Sequence, residues 1–372
     1  MKLSVMQENL ARGLAVASRA VSSRSTLPVL ANVLLKTEDA GLKLTATNLE
    51  IGITFWVPGK IETDGAITVP ARLFTDLVTS LPGSERVDLE LQAGGTLHVQ
   101  AGRYATHVKG IDAEEFPAIP SAGERPTTRI AQNVLRQALT ETAFAAASDE
   151  ARPILTGVLA RFEGDRLTLA AADNYRIAVK TIPILDPVED TSLVIPARSL
   201  TELSRILADS DEPVDLVISP ARNQVLFHLD AIDLVSRLID GQFPNYQQVV
   251  PAAHTTRAIV DREELLKAVR LAGLIAHESA NIVKLQVGVD GEAGILVSAN
   301  AEVGDNEGHV EAGVEGDGTT IAFNARYLAD VLQNVTAERF AIELNGPLSP
   351  GVFKPVGDDA YVHVVMPVRT TS

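Results

Sequence analysis

The sequence contains no cysteine, few aromatic residues and no long apolar run. Without cysteine there can be no disulfides, thiolate nucleophiles or cysteine-based zinc sites, and the composition fits a reducing compartment. No stretch of about 18 uninterrupted apolar residues occurs, so we expect neither a membrane-spanning helix nor a membrane partner. The acid Glu8 precedes any longer apolar segment, which argues against a signal peptide. These absences predict a cytoplasmic protein.

Signatures of catalysis and of cofactor binding are also missing. The seven histidines form no His-x-His or His-Glu-x-x-His pair, so no metal site is predicted. No Gly-x-x-x-x-Gly-Lys-Ser/Thr phosphate loop occurs, and the glycine cluster at 313–318 indicates an acidic loop instead. We therefore expect a binding protein with no catalytic residues, no metal and no cofactor.

The chain repeats itself three times. A helix-opening pattern occurs at 69–72, 195–198 and 323–326, and its arginines are spaced 126 and 128 residues apart. A strand that runs into asparagine recurs with spacings of 126 and 126, at Asn48, Asn174 and Asn300. The repeats also end alike, at 116–117, 243–244 and 366–367. A period this long describes a domain, so we predict domains at 1–124, 125–252 and 253–372.

Each repeat carries the same elements. A first helix is predicted at 7–21, 132–147 and 262–276 from its apolar periodicity. A second helix is predicted at 71–81, 197–208 and 325–334, in two cases after a proline. Alternating strands and turn-rich hairpins surround both helices. Two helices packed on antiparallel sheets in each repeat give an α+β fold.

Charge is distributed unevenly between these elements. The whole chain has 32 Lys and Arg against 48 Asp and Glu, a net charge of −16. Taken as a whole, this charge should repel the phosphate backbone of a nucleic acid. The six predicted helices nevertheless sum to +3, which leaves −19 for the remainder. A cationic helix face in an acidic protein is typical of contact with backbone phosphates without base reading.

Two basic positions recur in all three repeats. Arg12, Arg136 and Lys267 occupy the first helix, where we favour a functional role because a merely solvated face would accept either sign. Arg72, Arg198 and Arg326 occupy the second helix. For this second set, DNA contact and a simple role at the helix start remain equally good interpretations. Further candidate DNA contacts are Arg24, Arg205 and Arg270.

Several motifs are similar to those of a known family. They lie at 24–30, 69–72, 172–178, 238–246 and 364–369, and the Ile-Asp-Gly-x-Phe-Pro-x-Tyr run and the Met-Pro-Val-Arg ending are the most specific. With the triplication they cover nearly the full length. The whole chain resembles the bacterial sliding clamps, the beta subunits of DNA polymerase III.

The resemblance implies a head-to-tail homodimer, a ring of six domains around double-stranded DNA. Such a ring is a non-catalytic processivity factor that tethers the replicative DNA polymerase, and it also binds the clamp loader and clamp-binding repair proteins. The family's dimer interface suggests contacts from Leu274 and Ile275.

The family's groove for partner peptides maps onto this sequence position by position. It would comprise Leu155, Asp173, Asn174, Tyr175, Arg176, Ile177, Pro244, Gln248, Val249, Leu348, Pro350, Val364, Val365, Met366, Pro367, Val368 and Arg369. Asn174 replaces a common glycine and Gln248 a common arginine, and residues 370–372 extend the usual ending. Peptide preference therefore stays open.

Two other interpretations remain. A paralogue of the clamp would keep the ring but choose different partners. An enzyme on a threefold scaffold would instead show an acid–base cluster in a pocket.

Overall fold

The computed structural model describes residues 1–22, 27–38, 41–83, 85–119, 125–149, 151–289 and 293–369. These residues contain six α-helices, which are α1 (Gln7–Ala17), α2 (Ala71–Ser80), α3 (Gln132–Thr142), α4 (Ala197–Ile206), α5 (Arg262–Ala276) and α6 (Ala325–Asn334). No described helix has the length and apolar character needed to cross a membrane.

Antiparallel strands make up most of the remaining structure. In chain order they are β1 (Lys2–Met6), β2 (Asn32–Glu38), β3 (Gly41–Thr47), β4 (Ile51–Thr63), β5 (Ala66–Pro70), β6 (Arg86–Gln92), β7 (Thr96–Ala101), β8 (Tyr104–Lys109), β9 (Thr128–Ala131), β10 (Gly157–Ala172), β11 (Arg176–Pro196), β12 (Pro213–Ile218), β13 (Gln224–Leu229), β14 (Ile232–Arg237), β15 (Thr256–Asp261), β16 (Ile282–Val287), β17 (Ile295–Ala301), β18 (Gly304–Val310), β19 (Ala312–Gly316), β20 (Thr319–Asn324), β21 (Arg339–Leu344), β22 (Gly351–Pro355) and β23 (Tyr361–Val365).

The helices begin where the sequence predicts. The Asp261 side chain accepts a hydrogen bond from the Glu264 amide at 2.9 Å, and the Asn324 side chain accepts one from the Arg326 amide at 2.9 Å. Both contacts satisfy amides that a helix start leaves without intrahelical partners. The α5 and α6 limits match the predicted ones. α1 and α3 end earlier than predicted, because their last turns tighten into short 3₁₀ turns.

Contacts between residues divide the chain into two compact units. The first unit comprises Met1–Gln132 and Ser210–Leu238 and contains a twelve-stranded sheet. α1 and α2 pack against each other, and α1 also packs on β4. Gly13 allows this close approach, because a Cβ there would lie 2.8 Å from side-chain carbons of Leu44 and Val57.

The second unit comprises Asn133–Asp209 and Ile239–Ser372 and contains two sheets. The seven-stranded sheet has the order β10-β11-β23-β22-β21-β15-β19, and the four-stranded sheet has the order β18-β17-β16-β20. α5 and α6 pack against each other, and α5 covers β17 and β18. Apolar α5 residues that include Leu265, Val269 and Ala272 are buried.

Strand pairing joins the predicted domains within each unit. β4 of the first predicted domain pairs with β14 of the second, and β11 of the second pairs with β23 of the third. A division by contacts therefore does not coincide with the sequence period. The boundaries at 124 and 252 stay predictions, and residues 120–124 lie outside the described residues.

Candidate functional site

A tight turn separates β10 from β11 and forms one wall of the candidate groove. The Asp173 carboxylate accepts hydrogen bonds from the amides of Tyr175 at 2.7 Å and Arg176 at 3.0 Å. The Asp173 amide in turn donates to the Arg176 carbonyl at 3.1 Å. Asn174 accepts a hydrogen bond from the Arg152 guanidinium at 3.2 Å. Asp173 therefore folds the turn locally, and Tyr175 is left 56% exposed at its tip.

The guanidinium of Arg176 lies behind this turn. Its Nε donates to Asp173 at 3.1 Å, and one Nη donates to the Phe144 carbonyl at 3.0 Å. The other Nη forms an ion pair with Asp330 on α6. The ring centres of Phe144 and Tyr327 lie 5.5 Å and 4.6 Å from the guanidinium carbon. Arg176 is only 9% exposed, so these intramolecular contacts hold its charge.

The C-terminal segment extends this wall of the groove. β23 pairs with β11, with Val365 opposite Arg176 and Val364 opposite Ile177. After the strand ends, the Met366 amide donates to the Tyr175 carbonyl at 2.7 Å. The Val368 amide donates to the Ala322 carbonyl at 2.8 Å. The turn and the C-terminal segment are thus fixed to each other by backbone hydrogen bonds.

An apolar cluster lies beneath these segments. Leu155, Ile177 and Phe243 are buried in it, and Tyr246 packs against it. Burial raises the pKa of the Tyr246 hydroxyl. This arrangement of apolar side chains with a few polar groups at the edge is typical of ligand sites.

The sequence-predicted groove residues differ widely in exposure. Those buried are Leu155, Arg176, Ile177, Val364 and Val365. Those half-buried are Asp173, Pro350, Pro367 and Val368. Those exposed are Asn174, Tyr175, Pro244, Gln248, Val249, Leu348, Met366 and Arg369. Residues 370–372 lie outside the described residues.

Sequence reasoning missed three residues that surround Arg176. Phe144, Tyr327 and Asp330 are far from it in the chain, and the Asp330 contact spans 154 residues. One signal was present, because the second-helix pattern has an acid at the matching position of each repeat. These acids are Asp76, Glu202 and Asp330.

A buried ionic cluster lies on the same sheet. Lys180 on β11 is 3.0 Å from Glu141 of α3 and also contacts Asp358. Burial by itself lowers the Lys180 pKa, but hydrogen bonds to Asp358 and Glu141 outweigh it and leave that pKa raised. Lys180 is therefore charged at neutral pH, and this cluster is a structural ion pair network.

His363 on β23 is fully buried beside the groove. Its ring stacks on Phe144 with 5.5 Å between centres, and its Nε2 has no hydrogen-bond partner among the described residues. Burial, with a smaller contribution from Arg176, lowers the His363 pKa from 6.5 to about 3. The folded protein therefore holds this imidazole neutral.

We expect His363 to make the folded protein acid-sensitive. The unfolded chain takes up the proton near pH 6.5 and the folded chain only near 3. Stability from this group is thus complete above pH 6.5 and falls between 6.5 and 3, by about 1.4 kcal/mol per pH unit. Urea unfolding at several pH values should show this slope. His363→Gln should reduce the slope and exposed His254→Gln should keep it; equal slopes in all three proteins would contradict the assignment.

The predicted DNA contacts that the structure describes share one property. All are exposed on α-helices, and they are Arg12, Arg72, Arg136, Arg198, Arg205, Lys267, Arg270 and Arg326. Two have a nearby acid, since Arg205 is 2.7 Å from Glu202 and Arg72 is 4.0 Å from Asp76. Arg24 lies outside the described residues. Every one of the six helices therefore presents at least one exposed cation.

Two sheet edges have opposite charge. β8 ends the twelve-stranded sheet; exposed Arg103 precedes this strand, and exposed Lys109 is its last residue. β18 ends the four-stranded sheet and carries exposed Asp305 and Glu307. Beside β18, α5 exposes 71% of Leu274, whereas Ile275 is half-buried.

Family models for the DNA polymerase III beta subunit match almost the whole chain. The N-terminal, central and C-terminal domain models match residues 1–120, 129–245 and 247–369. The beta sliding clamp of Synechococcus elongatus is 36% identical, and the alignment covers 100% of both chains.

Solved structures agree with this match. The DNA polymerase sliding clamp of Bacillus subtilis superposes with a TM-score of 0.93 at 31% identity over 100% of both chains. The beta subunit of Pseudomonas aeruginosa, bound to griselimycin, superposes with a TM-score of 0.91 at 29% identity over 100% of both chains.

These matches define a non-catalytic accessory subunit of a DNA polymerase. The chain belongs to the DNA polymerase III beta subunit family, the bacterial sliding clamps. It functions as a DNA sliding clamp, and membership of this family implies partnership with DNA and polymerase. The predicted α+β fold of three clamp domains and the resemblance are both confirmed.

Proposed function

We propose that two copies close head to tail into a six-domain ring that encircles duplex DNA in the cytoplasm. The ring tethers the replicative polymerase through the candidate peptide groove. The clamp loader and repair proteins bind in the same groove. Tethering raises the effective concentration of polymerase at the primer end, so processivity requires no chemistry from the clamp.

The observation that carries DNA encirclement is the location of the exposed cations. The chain has a net charge of −16, yet all six helices expose Lys or Arg. Cations that meet only phosphates bind DNA without reading its sequence. Acidic surfaces elsewhere repel DNA, which restricts binding to the helix faces.

Complementary sheet edges support ring closure. An unpaired edge strand presents backbone groups that can pair with another chain. In the proposed dimer, β8 of one copy adds to β18 of the other, and Arg103 and Lys109 face Asp305 and Glu307. Leu274 of α5 covers the junction. A head-to-tail contact uses two different surfaces and closes when the rotation returns to the first copy.

The groove supports partner binding. A buried apolar cluster forms its floor. Tyr175 and Met366 are exposed beside it, and the sequence assigns exposed Val249 and Leu348 to the same groove. Exposed apolar side chains beside a buried apolar cluster are typical of a surface that a partner covers. Arg369 is exposed at the end of the same segment, where it can meet an acidic group of a peptide.

Retention on DNA tests encirclement. Free protein should bind DNA weakly, with log K falling by about 0.9 per phosphate contact for each log unit of salt. Protein placed on circular DNA by a clamp loader should instead survive high salt and slip off when the circle is cut. Circles that are nicked but not linearised provide the control. Equal retention on linear and circular DNA would rule out a sliding ring.

A further inference from the structure

The Arg176 guanidinium has contacts both within its own turn and with groups from outside that turn. Asp173, from its own turn, and the Phe144 carbonyl hold two of its nitrogens at 3.1 Å and 3.0 Å. The rings of Phe144 and Tyr327 stack on it. Asp330 holds the remaining nitrogen. Two of these contacts come from one helix, because Tyr327 and Asp330 are three residues apart on α6.

Asp330 differs from the other groups around Arg176. Its side chain is 40% exposed, whereas that of Arg176 is 9% exposed. A partly exposed ion pair contributes little to stability, because water screens it. It can still fix a geometry, since a charge-assisted hydrogen bond to one nitrogen determines how the planar guanidinium lies.

We propose that Asp330 is a positioning residue for the peptide groove. It acts from α6 through Arg176 on the Asp173–Arg176 turn and does not itself touch the peptide. This inference rests on the proposed function of the groove. It adds that a helix of the third repeat, α6, controls the shape of the groove.

The contacts connect Asp330 to the rim in a continuous series. Asp330 orients Arg176, and Arg176 binds the carboxylate of Asp173 that folds the turn. The turn presents the Tyr175 carbonyl, which accepts a hydrogen bond of 2.7 Å from the Met366 amide. The Tyr175 ring stacks on Tyr327 with 6.2 Å between centres. Loss of the Asp330 charge should therefore loosen the Tyr175 turn and release Met366 together.

Asp330→Asn tests this with little change of shape. We expect affinity for a synthetic peptide from the clamp-binding segment of a bacterial replicative polymerase to fall about tenfold, the effect of one charge-assisted hydrogen bond. Amide hydrogen exchange at Met366 should accelerate by a similar factor. Exchange at residues 361–364, within the β23 ladder, should stay unchanged and serve as the internal reference. An asparagine at this position can retain part of the contact with Arg176. In that case Asp330→Ala should show the expected pattern.

Asp76→Asn is the matched control. Asp76 occupies the same position of the first repeat, but its side chain is 73% exposed and lies 4.0 Å from Arg72 of the same helix. This variant should leave peptide affinity and Met366 exchange unchanged. Unaltered affinity and exchange in both Asp330 variants would overturn the proposal, and so would faster exchange throughout β23, which indicates a general loss of stability. If the wild-type protein fails to bind the peptide, the groove assignment fails, and Met366 exchange still decides whether Asp330 positions the turn.

Discussion

We expect replacement of Leu274 and Ile275 with glutamate to convert the proposed dimer to a monomer. Leu274 exposes 71% of its surface at the end of α5, a large fraction for a leucine that no partner covers. Burying such a side chain stabilises an interface by about 2 kcal/mol. Glutamate loses that contribution and brings two carboxylates toward an edge where β18 is already acidic. A ring of two copies has this contact twice, so both closures weaken together.

Sedimentation velocity at micromolar concentration measures this outcome. Leu185→Glu is the control, because Leu185 is a comparably exposed leucine on β11. It should remain dimeric. The buried face of α5, with Leu265, Leu266 and Val269, is untouched in the double variant, so the variant should still fold, which a cooperative urea transition checks. A double variant that stays dimeric would show that these residues do not hold the ring closed.

The sequence predicts most of the helical framework because local signals define it. Prolines at 70 and 196 and the side-chain caps at 261 and 324 set the helix starts, and periodic apolar residues identify the buried faces. The predicted helix ends were less accurate than the predicted starts, because the 3₁₀ turns after α1 and α3 depend on packing. Pairing of β4 with β14 was not predictable, because strand register between distant segments has no local signature.

The groove shows the same division between local and distant effects. Asp173 was identified in a strand exit, and its role in folding the turn follows from its sequence neighbours. Arg176 was assigned to the peptide groove, and the structure surrounds its guanidinium with groups of its own chain. Its partners Phe144 and Asp330 lie 32 and 154 residues away. No spacing rule connects residues so far apart, so the folded structure is needed to show that they meet Arg176.

We expect removal of residues 366–372 to abolish binding of polymerase and loader peptides while the proposed dimer persists. The β11–β23 ladder ends at Val365, so the truncated chain keeps every paired residue of β23. It loses the Met366 hydrogen bond to Tyr175, the Val368 hydrogen bond to Ala322 and the apolar Met366 side chain. A few apolar anchors carry most of the energy in such a site. None of the removed residues belongs to α5 or β18, which hold the proposed closure.

Calorimetry with the polymerase peptide measures the loss. Leu348→Ala removes one candidate apolar anchor while the C-terminal segment stays intact. Because Leu348 is 68% exposed, this truncation leaves the core unchanged. We expect it to cost about 2 kcal/mol, roughly thirtyfold in affinity. Sedimentation of the truncated protein should still show a dimer. Unchanged peptide affinity after truncation would place the partner site elsewhere on the clamp, because no peptide could use a wall of the groove that is gone.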